Sequence, residues 1–455
     1  MTFKKTTAEP IDKLTEGAAP PSVAVTIAGY RETPAFKRVI SAVVEDRDSV
    51  FLTGDAGTGK STLLRRLLEE SQSRGRRVAV LAPTGCAAVN VGGQTIHSFF
   101  GIPPRFVTAQ ETINCRNRQM LRDLDTLIID EVSMVRSDVM AAVDRALRNA
   151  RREFGIPFGA LQVVLVGDLA QLPPVVGKEE AAFFGVEYPG PYFFQTGDFP
   201  RDHFSLVELR EPFRHKDDQF RKILASIRSN SLTSEDLSAL NQRVDDRNDL
   251  PFRNSTVTLT GKNNAANDIN AVMLGQLPGL SFKFEAVVGG DFPESFYPVD
   301  DLLLLKPGAK IMMARNDIGK RWVNGTLARV AHVEAERVQV ELNGTLHLVD
   351  TVQWENIRYQ YNPETRKITH DVIGTFTQLP IRLAWAMTVH KSQGQTLERA
   401  HFEMRHRAFA HGQTYVALSR CRTLEGLTLA RPLRQSDVIV DPAAMGYRDY
   451  LLPLE

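Results

Sequence analysis

Cysteine is scarce in this sequence. Cys86, Cys115 and Cys421 are the only three in 455 residues, far apart and without a CxxC pair. Their spacing excludes a disulfide scaffold, a zinc ribbon and a four-cysteine iron–sulfur cluster. Isolated thiols of this kind suit a reducing compartment, so a cytoplasmic location is expected. Long apolar runs are also missing. None approaches the roughly 18–20 residues of a membrane span, so no membrane partner is expected. The opening MTFKKTTAEPIDKLTEG has no continuous apolar core that would serve as a signal peptide. Charge of one sign is absent too: 55 Lys+Arg stand against 54 Asp+Glu, for a net charge of +1. That balance argues against a generic basic nucleic-acid coat protein, but a sum does not fix a distribution. Between Phe376 and Gln435 nine Lys+Arg meet three acids, whereas between Ser281 and Leu305 five acids meet one lysine. A basic face and an acidic approach compensate each other.

What is present is a pattern of alternation. Residues 1–30 are poor in large apolar side chains, contain AAPPS, and read as a flexible tail. From Ser49 onward, short β-branched apolar runs alternate with stretches of helical length. The runs are Val50–Thr53, Val78–Ala82, Leu127–Ile129 and Val163–Val166. This is the signature of an α/β chain with a parallel sheet, whose ligands sit beyond the carboxyl ends of the strands. Val257–Thr260 begins a second, weaker copy. Between about 301 and 375 the text changes to Lys310–Met313, Val338–Leu342, Thr345–Val349 and Thr351–Trp354. Asn324-Gly325 and Asn343-Gly344 provide hairpin signals there. A small antiparallel β-barrel inserted in the second α/β domain is expected.

Gly54-Asp55-Ala56-Gly57-Thr58-Gly59-Lys60-Ser61 matches G-x-x-x-x-G-K-[ST] in full, after a strand and before a helical run. Glycines let backbone N–H groups wrap phosphates, and the helix start, including Thr62, adds favourable dipole. Lys60 would reach the β/γ-phosphates, and Ser61 would ligate Mg²⁺. Leu127-Ile128-Ile129-Asp130-Glu131 ends a strand in two carboxylates. Asp130 is suited to the Mg²⁺ shell and Glu131 to polarising the attacking water. A third strand end, Gly167-Asp168 with Gln171 beyond it, offers a polar group that would sense the γ-phosphate. Mg²⁺-dependent NTP hydrolysis is the reading.

Three further segments address what the hydrolysis drives. Pro83-Thr84-Gly85 and Thr95-Ile96-His97-Ser98-Phe99 place hydroxyls, glycine and an aromatic near strand tips, which suits a single nucleic-acid strand. Thr388–Thr396, TVHKSQGQT, is dense in short donors. Gln413–Arg422 ends an apolar run in arginines. With GDAGTGKS, LAPTGCAA, TIHSFFG, LIIDEVSM, VGDLAQLPPV, ELREPFRH, LTGKNNAANDIN, VNGT, TVHKSQGQT and YVALSRCR in order over about 50–430, the chain resembles a superfamily 1B DNA helicase of the Pif (petite-integration-frequency) type. RecD-like helicases are relatives.

The resemblance implies two RecA-like P-loop domains (31–203, then 204–280 with 379–435). It also implies a Src-homology-3-like barrel at 281–378, a wedge element at about 101–121, and a C-terminal extension at 436–455. It implies 5′-to-3′ translocation on single-stranded DNA and unwinding at duplex junctions, in replication, repair or recombination. G-quadruplex DNA and RNA–DNA hybrids are implied as further substrates, and a monomer as the working form. By position, Arg214 and Arg420 are implied to reach the γ-phosphate, and Gly394 and Gln395 to face the nucleotide. Thr84, His97, Phe99, Thr388, His390 and Lys391 are implied to lie near DNA. Residues 1–50 lack the family's adenine-reading glutamine, so relaxed nucleotide choice is expected. A nucleotide-switched binding module and an RNA-directed translocase are the rival readings.

Overall fold

The computed structural model describes residues 33–455 except 56, 114, 116, 178, 211–216, 248, 335–336, 363, 366, 394, 404–409, 448–451 and 454–455. The tail at 1–30 lies outside the described residues, as do Ala56, Arg214 and Gly394.

Alternation along each apolar run decides the first domain. Phe51, Ala79, Leu81, Leu127, Ile129, Val163 and Leu165 point into one buried cluster. Their neighbours Val50, Leu52, Val78, Val80, Ile128, Val164 and Val166 point into another. Both faces of the sheet are therefore covered, as a parallel sheet requires. The described strands run in the order Leu452–Pro453, Ser205–Leu209, Val50–Gly54, Gln162–Val166, Thr126–Ile129, Val78–Ala82, Gln94–Thr95, with parallel pairings throughout. The helix Lys60–Ser73 buries Leu63, Leu64, Leu67 and Ser71, one stripe at helical spacing, against this sheet.

The second domain is a smaller parallel sheet, Ala386–Thr388, Val257–Thr260, Ala400–Glu403 and Leu427–Leu429. The helix Asp218–Arg228 packs on it through Phe220, Ile223, Leu224 and Ile227. The insertion between its strands is antiparallel. Thr345–Val349, Val338–Leu342, Leu327–Val333, Lys310–Met313 and Ile381–Leu383 form a five-stranded sheet around Trp322 and Trp385. Asn343 and Gly344 both hold positive φ, 50° and 77°, which is the tight hairpin turn that Asn-Gly favours. Asn324-Gly325 instead closes a longer loop, with Asn324 N–H donating to Asn316 Oδ1 at 2.7 Å.

Two domain boundaries move. Ser205–Leu209 follows the expected break at 203 yet pairs with Val50–Gly54, so the first domain extends through Leu209. Ile381–Leu383 pairs with Lys310–Met313, so the insertion extends past 378. In both cases strand partners, invisible to local pattern, set the limit. Segment 101–121 packs into the first domain, where Ile102, Phe106, Val107, Ile113, Met120 and Leu121 are buried. The C-terminal extension returns to that domain. Ala444 and Tyr447 enter its core, and Leu452–Pro453 adds a strand beside Ser205–Leu209.

A long hairpin, Val352–Asn362 with Lys367–Gln378, reaches from the insertion to the first domain. There Tyr359 OH accepts from Val80 N–H at 3.2 Å, and Tyr359 N–H donates to Gln94 Oε1 at 3.0 Å.

Candidate nucleotide and nucleic-acid site

The phosphate loop is built by backbone conformations that need glycine. Gly57 and Gly59 hold φ of 83° and 89°, where a side chain is strained. A Cβ on Gly54 would sit 2.5 Å from the Leu209 carbonyl oxygen. Gly59 caps the helix Lys60–Ser73 without a side-chain bond, so the first-turn N–H groups there face outward with positive dipole. Thr58 Oγ1 donates to the Asp55 carbonyl at 2.8 Å, and Lys60 Nζ donates to the Gly54 and Asp55 carbonyls at 2.7 and 3.0 Å. Burial pulls the Lys60 ammonium below its ordinary pKa. A neighbouring anion would be strongly favoured by so poorly solvated a cation.

Beyond the adjacent strand tips, Asp130 is buried and its Oδ1 accepts from Glu131 N–H at 2.9 Å. Glu131 has φ of 50°, a left-handed conformation that turns its carboxyl into the cleft at a modest backbone cost. Burial, then the Asp130 carboxylate, pushes the Glu131 carboxyl above its ordinary range. Ser61 and Asp130 supply hard oxygen donors, a set that fits a magnesium ion.

The second domain closes the cleft with two residues the sequence did not single out, Arg228 and Gln393. Arg228, at the end of its helix, pairs with Asp55 at 2.8 Å, Asp168 at 3.1 Å and Glu208 at 3.3 Å, all on the first domain. Burial of Asp168 works against its charge, but the Arg228 and Lys60 cations outweigh it and hold the carboxyl below its ordinary pKa. Asp168 Oδ2 accepts from Gln171 Nε2 at 3.1 Å. Gln393 Nε2 in turn donates to Gln171 Oε1 at 3.1 Å and Glu131 Oε2 at 2.9 Å. Arg420 is 2% exposed, with Nε on the Val416 carbonyl and Nη2 on Ser419 Oγ, both at 2.9 Å. Burial pushes its guanidinium down to about 10, with Tyr415 and Glu131 opposing.

Gln395 corrects an expectation. Its side chain donates to Asn324 Oδ1 at 3.2 Å in the insertion, and Gln393, two residues earlier, faces the cleft instead. Both glutamines lie on one short loop, and only the tertiary partner of each, Glu131 and Gln171 for one and Asn324 for the other, selects which enters. No sequence signal marked Arg228, since an arginine on an amphipathic helix ordinarily reads as solvated.

A family model described as PIF1-like helicase matches residues 31–185. The ATP-dependent DNA helicase Pif1 of Bdellovibrio bacteriovorus is 31% identical over 88% of this chain and 88% of its own length. The chain belongs to the PIF1-like helicase family. The human ATP-dependent DNA helicase PIF1 is 33% identical over 86% of this chain, which spans 59% of that longer protein. In the unliganded Pif1 from Bacteroides sp the match is 35% identical with a TM-score of 0.84, covering 92% of this chain and 97% of that one. Bacteroides Pif1 bound to ssDNA matches at 36% identity over 92% and 96%, with a TM-score of 0.64.

In this helicase the residues expected near DNA are not alike. His390 and Lys391 are exposed on one turn, and Thr84 is exposed while its Oγ1 caps the helix Gly85–Val91. His97 is partly buried, and burial lowers its pKa. Thr388 is buried, its Oγ1 accepting from Lys391 N–H at 3.2 Å, so it shapes the turn. Phe99 is a correction. It lies 9% exposed, edge-on to Phe100 at 5.0 Å and to Tyr359 of the long hairpin at 5.7 Å, so its ring is packed in the core and not open at a strand tip. The insertion covers that side, which the TIHSFF text could not reveal. Among the described residues no helix is long and apolar enough to cross a membrane.

Proposed function

We propose that this ATP-dependent DNA helicase translocates 5′ to 3′ along single-stranded DNA and parts duplex at junctions. The carrying observation is a P-loop cleft lined from both sides. Lys60, Asp130, Glu131, Asp168 and Gln171 stand on the first domain, with Arg228 and Gln393 bonded to them from the second. Hydrolysis in such a cleft alters the grip between domains, and each domain holds the strand by its own contacts.

Lys60 and the glycine-loop N–H groups bind and orient the phosphates. Glu131 takes the proton of the attacking water, and Gln171 orients that water. Arg420 and Arg214, from the second domain, complement charge on the transferring phosphoryl. A magnesium ion held by Ser61 and Asp130 would supply Lewis-acid polarisation of the phosphate oxygens. His390, Lys391 and Thr84 hold the DNA backbone, and segment 101–121 serves as the wedge. G-quadruplex DNA and RNA–DNA hybrids are further substrates, and the working unit is a monomer.

A strand-displacement assay tests this reading. Duplexes with 5′ single-stranded tails should open in ATP and those with 3′ tails should not. The reverse preference, or stimulation of ATP turnover by RNA alone, would overturn it.

A further inference from the structure

Gln393 bonds two groups at once. Its Nε2 lies 2.9 Å from Glu131 Oε2 and 3.1 Å from Gln171 Oε1. Those are the two acceptors that a water attacking the γ-phosphate needs, and an amide nitrogen has two hydrogens, one for each. A carboxamide bonded to both acceptors competes with such a water for them. Its orientation is set from the far end of the network. Arg228 and Lys60 keep Asp168 an acceptor. Asp168 therefore takes the Gln171 Nε2 hydrogen, and Gln171 is left with its oxygen toward Gln393.

The same residue is tied to the exposed turn. Gln393 N–H donates to the His390 carbonyl at 3.1 Å and Ser392 N–H to the Thr388 carbonyl at 3.0 Å. Ser392 Oγ, fully buried, donates to the Val389 carbonyl at 2.8 Å. A shift of the turn backbone at His390 and Lys391 therefore bears directly on Gln393. The chain as a whole is also closer in shape to unliganded Bacteroides Pif1 than to the ssDNA-bound form, with TM-scores of 0.84 and 0.64 at nearly equal identity.

We propose that Gln393 is a brake on hydrolysis: its carboxamide occupies the water position between Glu131 and Gln171, and single-stranded DNA held by His390 and Lys391 withdraws it. This rests on the motor reading above and names how that site is regulated. DNA stimulation is then the removal of an obstruction, and its size reflects the hydrogen bonds the carboxamide gives up.

The test is steady-state ATP turnover, with and without saturating oligothymidine, for wild type, Gln393→Ala and the volume-keeping Gln393→Met. Both variants should turn over about tenfold faster than wild type without DNA, the rate equivalent of one net hydrogen bond. With DNA they should lie within about threefold of wild type, so that stimulation collapses. A wild type stimulated by DNA, beside variants whose DNA-free rate is unchanged or lower, overturns the brake alone. A wild type that hydrolyses ATP without DNA stimulation overturns the motor reading and the brake with it.

Discussion

Arg228 carries its charge among three carboxylates, Asp55, Asp168 and Glu208, and its side chain is only 10% exposed. Removing one member of a buried ionic set leaves the others uncompensated, at a cost of about 3–5 kcal/mol. Arg228→Ala should lower the midpoint of thermal unfolding, and Arg228→Lys should not restore it, because an ammonium lacks the planar fork that meets three acceptors. Unchanged melting would show that the cluster contributes nothing.

At Lys60 the expectation concerns chemistry. Lys60→Ala should reduce ATP turnover by about a hundredfold or more, while binding of labelled single-stranded DNA, read by anisotropy, stays within about threefold. Lys310 offers a pH signature. Its ammonium is buried and donates to the Thr256 and Arg253 carbonyls at 2.6 and 3.3 Å, closing the end of the helix Leu250–Ser255. Burial, with Arg329 and Arg399 adding repulsion, lowers its pKa from 10.5 to about 7. Between those values the unfolded chain holds a proton that the folded chain has lost, so stability rises with pH across that window and is lost as pH falls through 7. A neutral amine keeps two hydrogens for the two carbonyls. The gain in melting temperature from pH 7 to pH 9 should therefore be about 2–4 °C larger in wild type than in Lys310→Met. Parallel melting profiles would rule this out.

Among elements, the C-terminal strap is the least expected from pattern. Pro442–Gly446 is a short helix with little helical signal, yet it delivers Tyr447 into the first domain. The Tyr447 ring stacks on Phe194 at 4.2 Å between centroids, and Arg201 lies 5.9 Å from the ring. Its hydroxyl is buried with no hydrogen-bond partner among the described residues. Ring and hydroxyl should therefore separate. Tyr447→Ala should cost about 3–5 kcal/mol, whereas Tyr447→Phe should be neutral or stabilising by about 1 kcal/mol. Chemical denaturation of the two variants reads the difference, and a Phe variant as damaged as the Ala variant would point to a missing partner for the hydroxyl. The long hairpin follows the same logic. Its strands were legible in part, at Thr351–Trp354, but the contact of Tyr359 with Val80 and Gln94 depends on residues far away in sequence.

For the whole molecule, the balanced net charge hides a basic stretch from Phe376 to Gln435. If that stretch meets phosphates, log affinity for single-stranded DNA should fall linearly with log salt, with a slope of about −0.7 per phosphate neutralised. A flat salt response would remove the electrostatic part of the DNA reading. The missing glutamine upstream of the P-loop belongs to the same scale, because the family resemblance would have that residue join the N-terminal segment to the cleft. Turnover with GTP, CTP and UTP should lie within about tenfold of that with ATP, since without a base-reading contact the remaining binding is mostly phosphate. A strict ATP preference would defeat that expectation.

Short-range grammar carried much of the identity. GDAGTGKS, IIDE and the alternating apolar runs are local arrangements, whose conformation follows from glycine freedom, strand tips and helix starts. The α/β class and the nucleotide chemistry could be read from them, the antiparallel insertion from the Asn-Gly turns, and the helicase family from the ordered set of motifs over about 50–430. Tertiary structure decided what depends on partners distant in the chain. It gave Ser205–Leu209 to the first sheet and Ile381–Leu383 to the insertion, because a strand's home is set by its hydrogen-bonded neighbour. It buried Phe99 beneath the hairpin, and it chose Gln393 over Gln395 for the cleft. It also brought Arg228 to three carboxylates of another domain. Burial and charge pairing are properties of what surrounds a side chain, and a linear text does not state its surroundings.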